Sequence, residues 1–142
     1  MAHQLDDSAL ARLTVAARGA RARAYVPYSG FDAGAAVLTA TGRIVEGALV
    51  ENLVFGLAMC AERVALFLAV AQGAGRPVAL ALAAPATAGD VTFPCGSCLQ
   101  VAAELGGMTL EVVALPPDGG PPEHRTVAQL APGLPHRRRL LT

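Results

Sequence analysis

Two short stretches, Cys60-Ala61-Glu62-Arg63 and Pro94-Cys95-Gly96-Ser97-Cys98, contain all 3 cysteines of the chain. Three thiols, two of them in a Cys-x-x-Cys spacing, suit one tetrahedral metal ion whose fourth position stays open. Glu62 follows the first thiol by two residues, so its carboxyl group would stand beside that open position. The two stretches therefore predict a zinc ion that activates water and a carboxyl group that transfers the protons.

The composition is that of a folded domain rather than a disordered or polyanion-binding chain. The sequence has 142 residues, 54% of them hydrophobic, so we expect residues 1–142 to form a single domain with a sizeable core. The formal net charge of 0 argues against a polynucleotide partner, because affinity for phosphates comes from clustered cations. The one basic run, Arg137–Arg139, is interpreted as a solvated tail.

The distribution of charge and cysteine indicates a cellular compartment. Residues 1–7 are polar and acidic and do not have the pattern of a signal peptide. No apolar run reaches the roughly 18–20 residues that span a bilayer, so no membrane partner is expected. Three cysteines cannot all pair within one chain, and a reducing cytosol favours free thiolates. We therefore expect a cytoplasmic protein whose thiols bind metal.

Helical and strand patterns alternate along the chain. Apolar periodicity and turn residues predict, in order, a helix over 5–23, a hairpin over 33–40 and 43–50, a helix over 59–72, a central strand over 78–83, a helix over 95–105, a strand over 109–115 and one or two helical turns over 127–130. The helix over 59–72 is apolar nearly all round, so most of its sides should be buried. This order predicts an α/β fold, a three-layer α/β/α sandwich with a central mixed sheet.

Both cysteine stretches fall at predicted helix starts. Unpaired backbone N–H groups and the helix dipole lower the pKa of a thiol there and favour metal binding. Three thiolates give a zinc site a net negative charge, which needs partial compensation if bound water is to become acidic. Arg63, in the first turn after Cys60, is placed to donate a hydrogen bond to a thiolate sulfur from outside the ligand set.

Further motifs accompany the two cysteine stretches. A Pro-Cys-x-x-Cys together with a third ligand and a non-ligand Glu is typical of zinc deaminases. Pro27–Phe31, Gly34–Leu38 and the pair Glu51-Asn52 ahead of Cys60 add to this pattern. In all of these the chain resembles the small cytidine deaminases, from about Leu5 to Pro132. The resemblance implies hydrolytic deamination of a free cytidine or 2′-deoxycytidine, with a homotetramer expected first and a dimer second.

The resemblance also implies the catalytic roles. Cys60, Cys95 and Cys98 would hold the zinc, with water in the fourth position. Glu62 would take the proton of that water, protonate the ring N3 and then pass a proton to the departing amino group.

Substrate contacts follow from the same resemblance. Glu51 matches a carboxylate that binds sugar hydroxyls, and Phe31 matches an aromatic residue of the base pocket. Ala61 falls where a backbone amide contacts the pyrimidine carbonyl oxygen. Three departures point to altered sugar recognition or a modified nucleoside as substrate: Leu49 stands in place of Asn, Leu99 in place of Arg, and no aromatic residue follows Phe93.

Other interpretations of these residues remain open at this point. The cysteines could be small buried hydrophobic residues, or a structural zinc site could take a fourth ligand from His3, His124 or His136. Glu51 could be an ordinary loop acid and Phe31 a core residue. A non-catalytic zinc domain is the alternative from another functional class, and a buried proton carrier beside an open metal position argues against it.

Overall fold

A five-stranded mixed sheet with helices on both faces forms the body of the protein. The computed structural model describes residues 4–136. In chain order its elements are α1 (Asp7–Arg21), β1 (Gly34–Thr39), β2 (Ile44–Ala48), a 3₁₀ turn (Phe55–Leu57), α2 (Ala61–Ala71), β3 (Pro77–Ala83), α3 (Gly96–Gly106), β4 (Glu111–Leu115), β5 (Glu123–Thr126) and α4 (Val127–Leu130).

The strand order is β2–β1–β3–β4–β5. Neighbouring strands run antiparallel except β3 and β4, which are parallel. Helix α3 makes the crossover connection that a parallel pair requires. The strand predicted as central is the middle strand of the sheet, and the predicted hairpin is β1–β2.

The two faces of the sheet carry separate cores. Helix α1 covers one face, where Leu13 packs with Leu38 and Val113. Helices α2 and α3 cover the other face, where Leu66 and Leu99 pack with the strand residues opposite them. The predicted three-layer α/β/α sandwich with a mixed sheet is therefore confirmed.

Helix α1 begins where the sequence places capping groups. Asp6 is its N-cap and accepts a hydrogen bond from the Ala9 amide over 2.8 Å, and Arg18 and Arg21 occupy the last turn. Both ends therefore complement the helix dipole. Arg21 also pairs with Asp32 over 3.1 Å, which ties the end of α1 to the segment before β1.

Gly47 allows the start of α2 to lie directly on β2. A Cβ atom added at Gly47 would lie 2.5 Å from the carbonyl oxygen of Ala61 and 2.5 Å from the Ala65 nitrogen. Any side chain at position 47 would therefore push α2 away from the sheet. The close approach fixes the position of the helix whose first turn carries Glu62.

Two structural features differ from the sequence predictions. Strand β5, Glu-His-Arg-Thr, was not predicted, because it is short, polar and largely exposed at a sheet edge and has no apolar alternation. The prediction that α2 is buried on most sides is wrong for this chain, since Phe67 and Val70 are 46% and 59% exposed.

Within residues 4–136, none of the helices has the length and apolar composition of a membrane span. His3 and the Arg137–Arg139 run lie outside the described residues.

Candidate metal centre and catalytic site

Three cysteine sulfurs converge at the starts of α2 and α3. Cys60 is the N-cap of α2, Cys95 is the N-cap of α3, and Cys98 lies in the first turn of α3. Their Sγ atoms all lie within 4.8 Å of one another, and those of Cys95 and Cys98 are 3.7 Å apart. Sulfur ligands at about 2.3 Å from a tetrahedral zinc ion are roughly 3.8 Å apart. The cluster therefore has the spacing that suits zinc.

The thiols differ in their readiness to lose a proton. A hydrogen bond from the Cys98 thiol, followed by the hydrogen bond and charge of Arg63, lowers the pKa of Cys60 to about 5 against an opposing effect of burial. The same hydrogen bond to Cys60, together with burial, raises the pKa of Cys98. A metal ion must therefore displace a proton from Cys98 when it binds.

Arg63 lies against the first thiol. Its Nη2 donates a hydrogen bond to the Cys60 sulfur over 3.4 Å, and this contact raises the pKa of the guanidinium. Its Nε is buried and has no hydrogen-bond partner within residues 4–136. The guanidinium therefore places a fixed positive charge beside the sulfur cluster.

Glu62 is a buried carboxyl group in the first turn of α2. The residue is only 5% exposed. Burial is the main reason that the pKa of Glu62 is raised to about 7. A carboxyl group with such a pKa can both accept and donate a proton near neutral pH.

A cavity of about 130 Å³ joins these groups to a set of mainly apolar side chains. Cys60, Glu62 and Cys95 form one part of its lining. The other lining residues are Phe31, Ala33, Leu49, Leu82, Thr92 and Phe93. The structure thus brings Phe31 and Glu62 to one cavity. Leu49, considered from sequence only for the sugar side, lines this cavity as well.

Glu51 does not line that cavity. Its Oε1 accepts hydrogen bonds from the backbone amides of Tyr28 and Ser29, over 3.0 and 3.2 Å. The Ser29 side chain, and then these two amides, hold the pKa of Glu51 below its ordinary value. Glu51 lines a separate cleft of about 350 Å³, together with Asn52 and Phe55.

Glu51 nevertheless acts on the position of Phe31. The Ser29 hydroxyl, whose backbone amide bonds to Glu51, accepts a hydrogen bond from the Phe31 amide over 3.0 Å. The carboxylate therefore fixes the turn that leads into one wall of the cavity.

Ala61 and Leu99, which were also named from sequence, are both buried. Ala61 is fully buried as the first residue of α2, and its amide is one of those that a helix start leaves unpaired within the helix. Leu99 is 5% exposed and packs in the core on the α2 and α3 side of the sheet.

The histidines of the described chain lie away from the sulfur cluster. His124 is paired in register with Val113, which belongs to the core under α1, on the other face of the sheet. His136 is exposed, and its Nδ1 is 2.7 Å from the carbonyl oxygen of Leu134. Within residues 4–136, the only group of three or more metal-binding side chains is the cysteine trio.

Sequence reasoning missed Thr92 and Phe93 as residues of the site. They immediately precede Pro94 and Cys95, and that adjacency is the signal that could have identified them. Thr92 donates a hydrogen bond to the carbonyl of Pro85 over 2.6 Å, which anchors the segment that carries Phe93.

Comparisons with known proteins identify the family of this chain. Residues 7–114 match the family model for the cytidine and deoxycytidylate deaminase zinc-binding region. A cytidine deaminase of Sporosarcina psychrophila is 44% identical over 124 residues, covering 86% of this chain and 88% of that protein. One of Halalkalibacterium halodurans is 46% identical over 114 residues, covering 80% and 84%.

Solved structures of cytidine deaminases are similar to this chain as well. The crystal structure of a cytidine deaminase from Burkholderia pseudomallei is similar with a TM-score of 0.80 and 42% identity, covering 87% of this chain and 97% of that one. One from Mycobacterium tuberculosis is similar with a TM-score of 0.76 and 38% identity, covering 92% and 98%. On the family match, the relatives and the three-sulfur site together, this chain belongs to the cytidine and deoxycytidylate deaminase family.

Proposed function

We propose that this protein hydrolyses the exocyclic amine of a free pyrimidine nucleoside, converting cytidine or 2′-deoxycytidine to uridine or 2′-deoxyuridine and ammonia. The observation that carries this proposal is the buried Glu62 in the same small cavity as two members of a three-sulfur cluster. The relatives named cytidine deaminase support the choice of substrate.

Cys60, Cys95 and Cys98 are the proposed zinc ligands. The 3.7 Å separation of two sulfurs and the three-thiol donor set fit zinc with one position left for solvent. A zinc ion held there supplies Lewis acidity, which makes water acidic and nucleophilic near neutral pH. Arg63 offsets part of the negative charge of the thiolates, so that the centre keeps this acidity.

Glu62 is the proposed proton carrier. It accepts a proton from the attacking water and delivers it to the ring N3 as the water oxygen adds to C4. It then transfers the second water proton to the amino group, and the C4–N bond breaks to release ammonia. The pKa of about 7 allows the same carboxyl group to serve in both directions.

The substrate would be held by three groups. The ring of Phe31 and the apolar walls of the cavity pack against the pyrimidine. The backbone N–H of Ala61, at the start of α2, donates to the pyrimidine carbonyl oxygen. Glu51 binds a sugar hydroxyl from its own cleft, while its Oε1 keeps the turn at Tyr28 and Ser29 in place.

A modified nucleoside or another aminopyrimidine is the second candidate substrate. The observation that favours it is Leu49, an apolar side chain that lines the cavity with Glu62 and cannot hydrogen-bond to a hydroxyl. An apolar contact rejects substrate variants far less strongly than a hydrogen-bonding group does.

We also propose that the protein is a cytoplasmic homo-oligomer with one domain over residues 1–142, a tetramer ahead of a dimer. Leu53, Phe55 and Leu57 are 75%, 79% and 67% exposed between Glu51 and Cys60. Apolar side chains clustered in this way mark a contact surface, and the apolar groove between α2 and α3 at Phe67 and Val70 adds a second one. Three free thiols support a reducing compartment.

Incubating the zinc-loaded protein with a panel of pyrimidine nucleosides and free bases, and following ammonia release, tests the proposal. We expect turnover of cytidine or 2′-deoxycytidine, and a kcat lower by a factor of about 10²–10⁴ with Glu62→Gln that has kept its zinc. Release from free cytosine without release from any nucleoside would contradict the substrate assignment, and no release from any compound would contradict the activity.

A further inference from the structure

A cation of the edge strand β5 lies over the ring of an aromatic residue that lines the cavity with Glu62. The guanidinium carbon of Arg125 is 5.6 Å from the centre of the Phe93 ring. Phe93 lines the cavity of about 130 Å³ together with Glu62 and Cys95. A contact of this length is within the range of a cation–π interaction. It connects β5 to the cavity wall.

The sheet register explains how Arg125 reaches Phe93. Arg125 is paired with Val112 of β4, and side chains directly opposite each other share a face of the sheet. Val112 belongs to the core under α2 and α3, against which Phe93 also packs. Arg125 therefore extends on the same side of the sheet as the sulfur cluster.

The other contacts of Arg125 are local to β5. Its Nη1 donates to the carbonyl of His124 over 2.7 Å, and its Nη2 lies 3.5 Å from the Glu123 carboxylate. Both partners in that ion pair are about half exposed, and such pairs contribute little to stability. The stack on Phe93 is therefore the contact through which Arg125 can influence the site.

We propose that Arg125 is a positioning residue for substrate binding, holding the Phe93 ring as a fixed wall against which the pyrimidine packs. The inference rests on the proposed function, which places a pyrimidine in this cavity. A ring that is already fixed loses less conformational freedom when the substrate binds, so the affinity rises. Proton transfer by Glu62 does not depend on the ring, so the catalytic rate constant is left unchanged.

Steady-state kinetics on three variants test this role. Arg125→Ala should raise KM about threefold, since an exposed cation–π contact is worth a factor of roughly 2–5 in an equilibrium constant. The kcat and the zinc content should stay within about twofold. Arg125→Lys keeps a cation and should raise KM less. Glu123→Ala removes only the exposed ion pair and should leave KM unchanged.

A double-mutant cycle separates positioning from direct substrate contact. In a Phe93→Leu background that retains zinc, Arg125→Ala should have no further effect on KM. An equal rise in both backgrounds would overturn the proposal, because Arg125 would then act independently of the ring. A fall in kcat and zinc content with KM unchanged would overturn it as well.

A spectroscopic measurement tests the inference without requiring turnover. The chain contains 0 Trp residues, so Phe93→Trp introduces a single reporter at the cavity wall. Adding Arg125→Ala should lower the fluorescence anisotropy of that reporter by freeing the indole, and unchanged anisotropy would overturn the proposal. If the wild-type protein deaminates no nucleoside, the proposed function fails, while the anisotropy still reports whether Arg125 holds the ring.

Discussion

The guanidinium of Arg63 donates a hydrogen bond to the sulfur of Cys60, which lies three residues earlier and caps the same helix. Glu62 lies between them in sequence and is buried in the first turn. The start of α2 therefore carries the proposed ligand sulfur, the proposed proton carrier and a cation in contact with that sulfur. Gly47 holds this turn against β2, so the geometry of the site depends on the packing of α2 on the sheet.

Replacing Arg63 should weaken zinc binding. Arg63→Ala removes the hydrogen bond to Cys60 and leaves the charge of the sulfur cluster less compensated. Mutation of a group that contacts a metal ligand typically lowers metal affinity by about 10–100-fold. We expect the zinc affinity of Arg63→Ala to fall by a factor in that range. Competition with a chromogenic chelator measures it. Arg43→Ala is the control, because Arg43 is exposed and the hydrogen bonds described for its side chain go only to Gln72. Equal zinc affinity in Arg63→Ala and the wild type would contradict this role.

The three thiols should bind one zinc ion per chain without help from a histidine. Cys60→Ser, Cys95→Ser and Cys98→Ser should each purify with far less than stoichiometric zinc and lose activity, because a three-ligand site tolerates no missing thiolate. His124→Ala and His136→Ala should keep their zinc and their activity, since His124 is paired on the other face of the sheet and His136 is exposed. Elemental analysis decides the question. Zinc lost from a histidine variant would mean a fourth protein ligand and a structural site.

Glu62→Gln should fold, keep its zinc and lose most of its turnover. The amide is close in volume to the carboxyl group, so the packing of α2 should survive, but an amide cannot carry the proton. General acid–base catalysis typically contributes about 10²–10⁴ in rate, and we expect kcat to fall by a factor in that range. Near-normal kcat in a zinc-replete variant would show that Glu62 is not the proton carrier. Glu123→Gln, at an exposed residue of β5, serves as the matched control.

The parts of the site that sequence could predict are those encoded locally. Cys60 and Cys95 lie at helix starts because the motifs that contain them also contain the signals that begin a helix. The alternation of helices and strands from α1 to β4 follows from apolar segments of ordinary length separated by turn residues. In each case, neighbouring residues decide the outcome, so a single sequence is enough.

The parts that could not be predicted depend on contacts between distant segments. Strand β5 forms by pairing with β4 and has no apolar pattern of its own. The position of Leu49 at the cavity follows from how β2 ends beside Phe31, and no local signal encodes it. The exposed face of α2 at Phe67 and Val70 resembles a buried face in sequence. An apolar side chain does not reveal whether its own chain or another covers it.

Leu49→Asn should change the balance between substrates. An amide at this position of the cavity lining would provide a hydrogen-bond partner for a nucleoside hydroxyl. One hydrogen bond is worth about 0.5–1.5 kcal/mol, so kcat/KM for cytidine relative to free cytosine should rise roughly 2–10-fold. Leu49→Met conserves volume without adding a polar group, so it should leave the ratio unchanged. A ratio that does not move in Leu49→Asn would place the sugar away from position 49.

Introducing a charge into the exposed apolar loop should break the oligomer. Phe55 is 79% exposed in the single chain, and burying a carboxylate against a second copy without a partner is costly, so Phe55→Glu should dissociate the assembly. Val15→Glu places the same charge at a residue 72% exposed on α1 and should leave the mass unchanged.

Light scattering after size-exclusion chromatography measures both variants against the wild type. Because Phe55 lines the same cleft as Glu51, dissociation should be accompanied by weaker nucleoside binding, seen as a higher KM. A monomeric wild type would contradict the oligomer. If only Val15→Glu dissociates the assembly, the interface lies on the α1 side of the sheet.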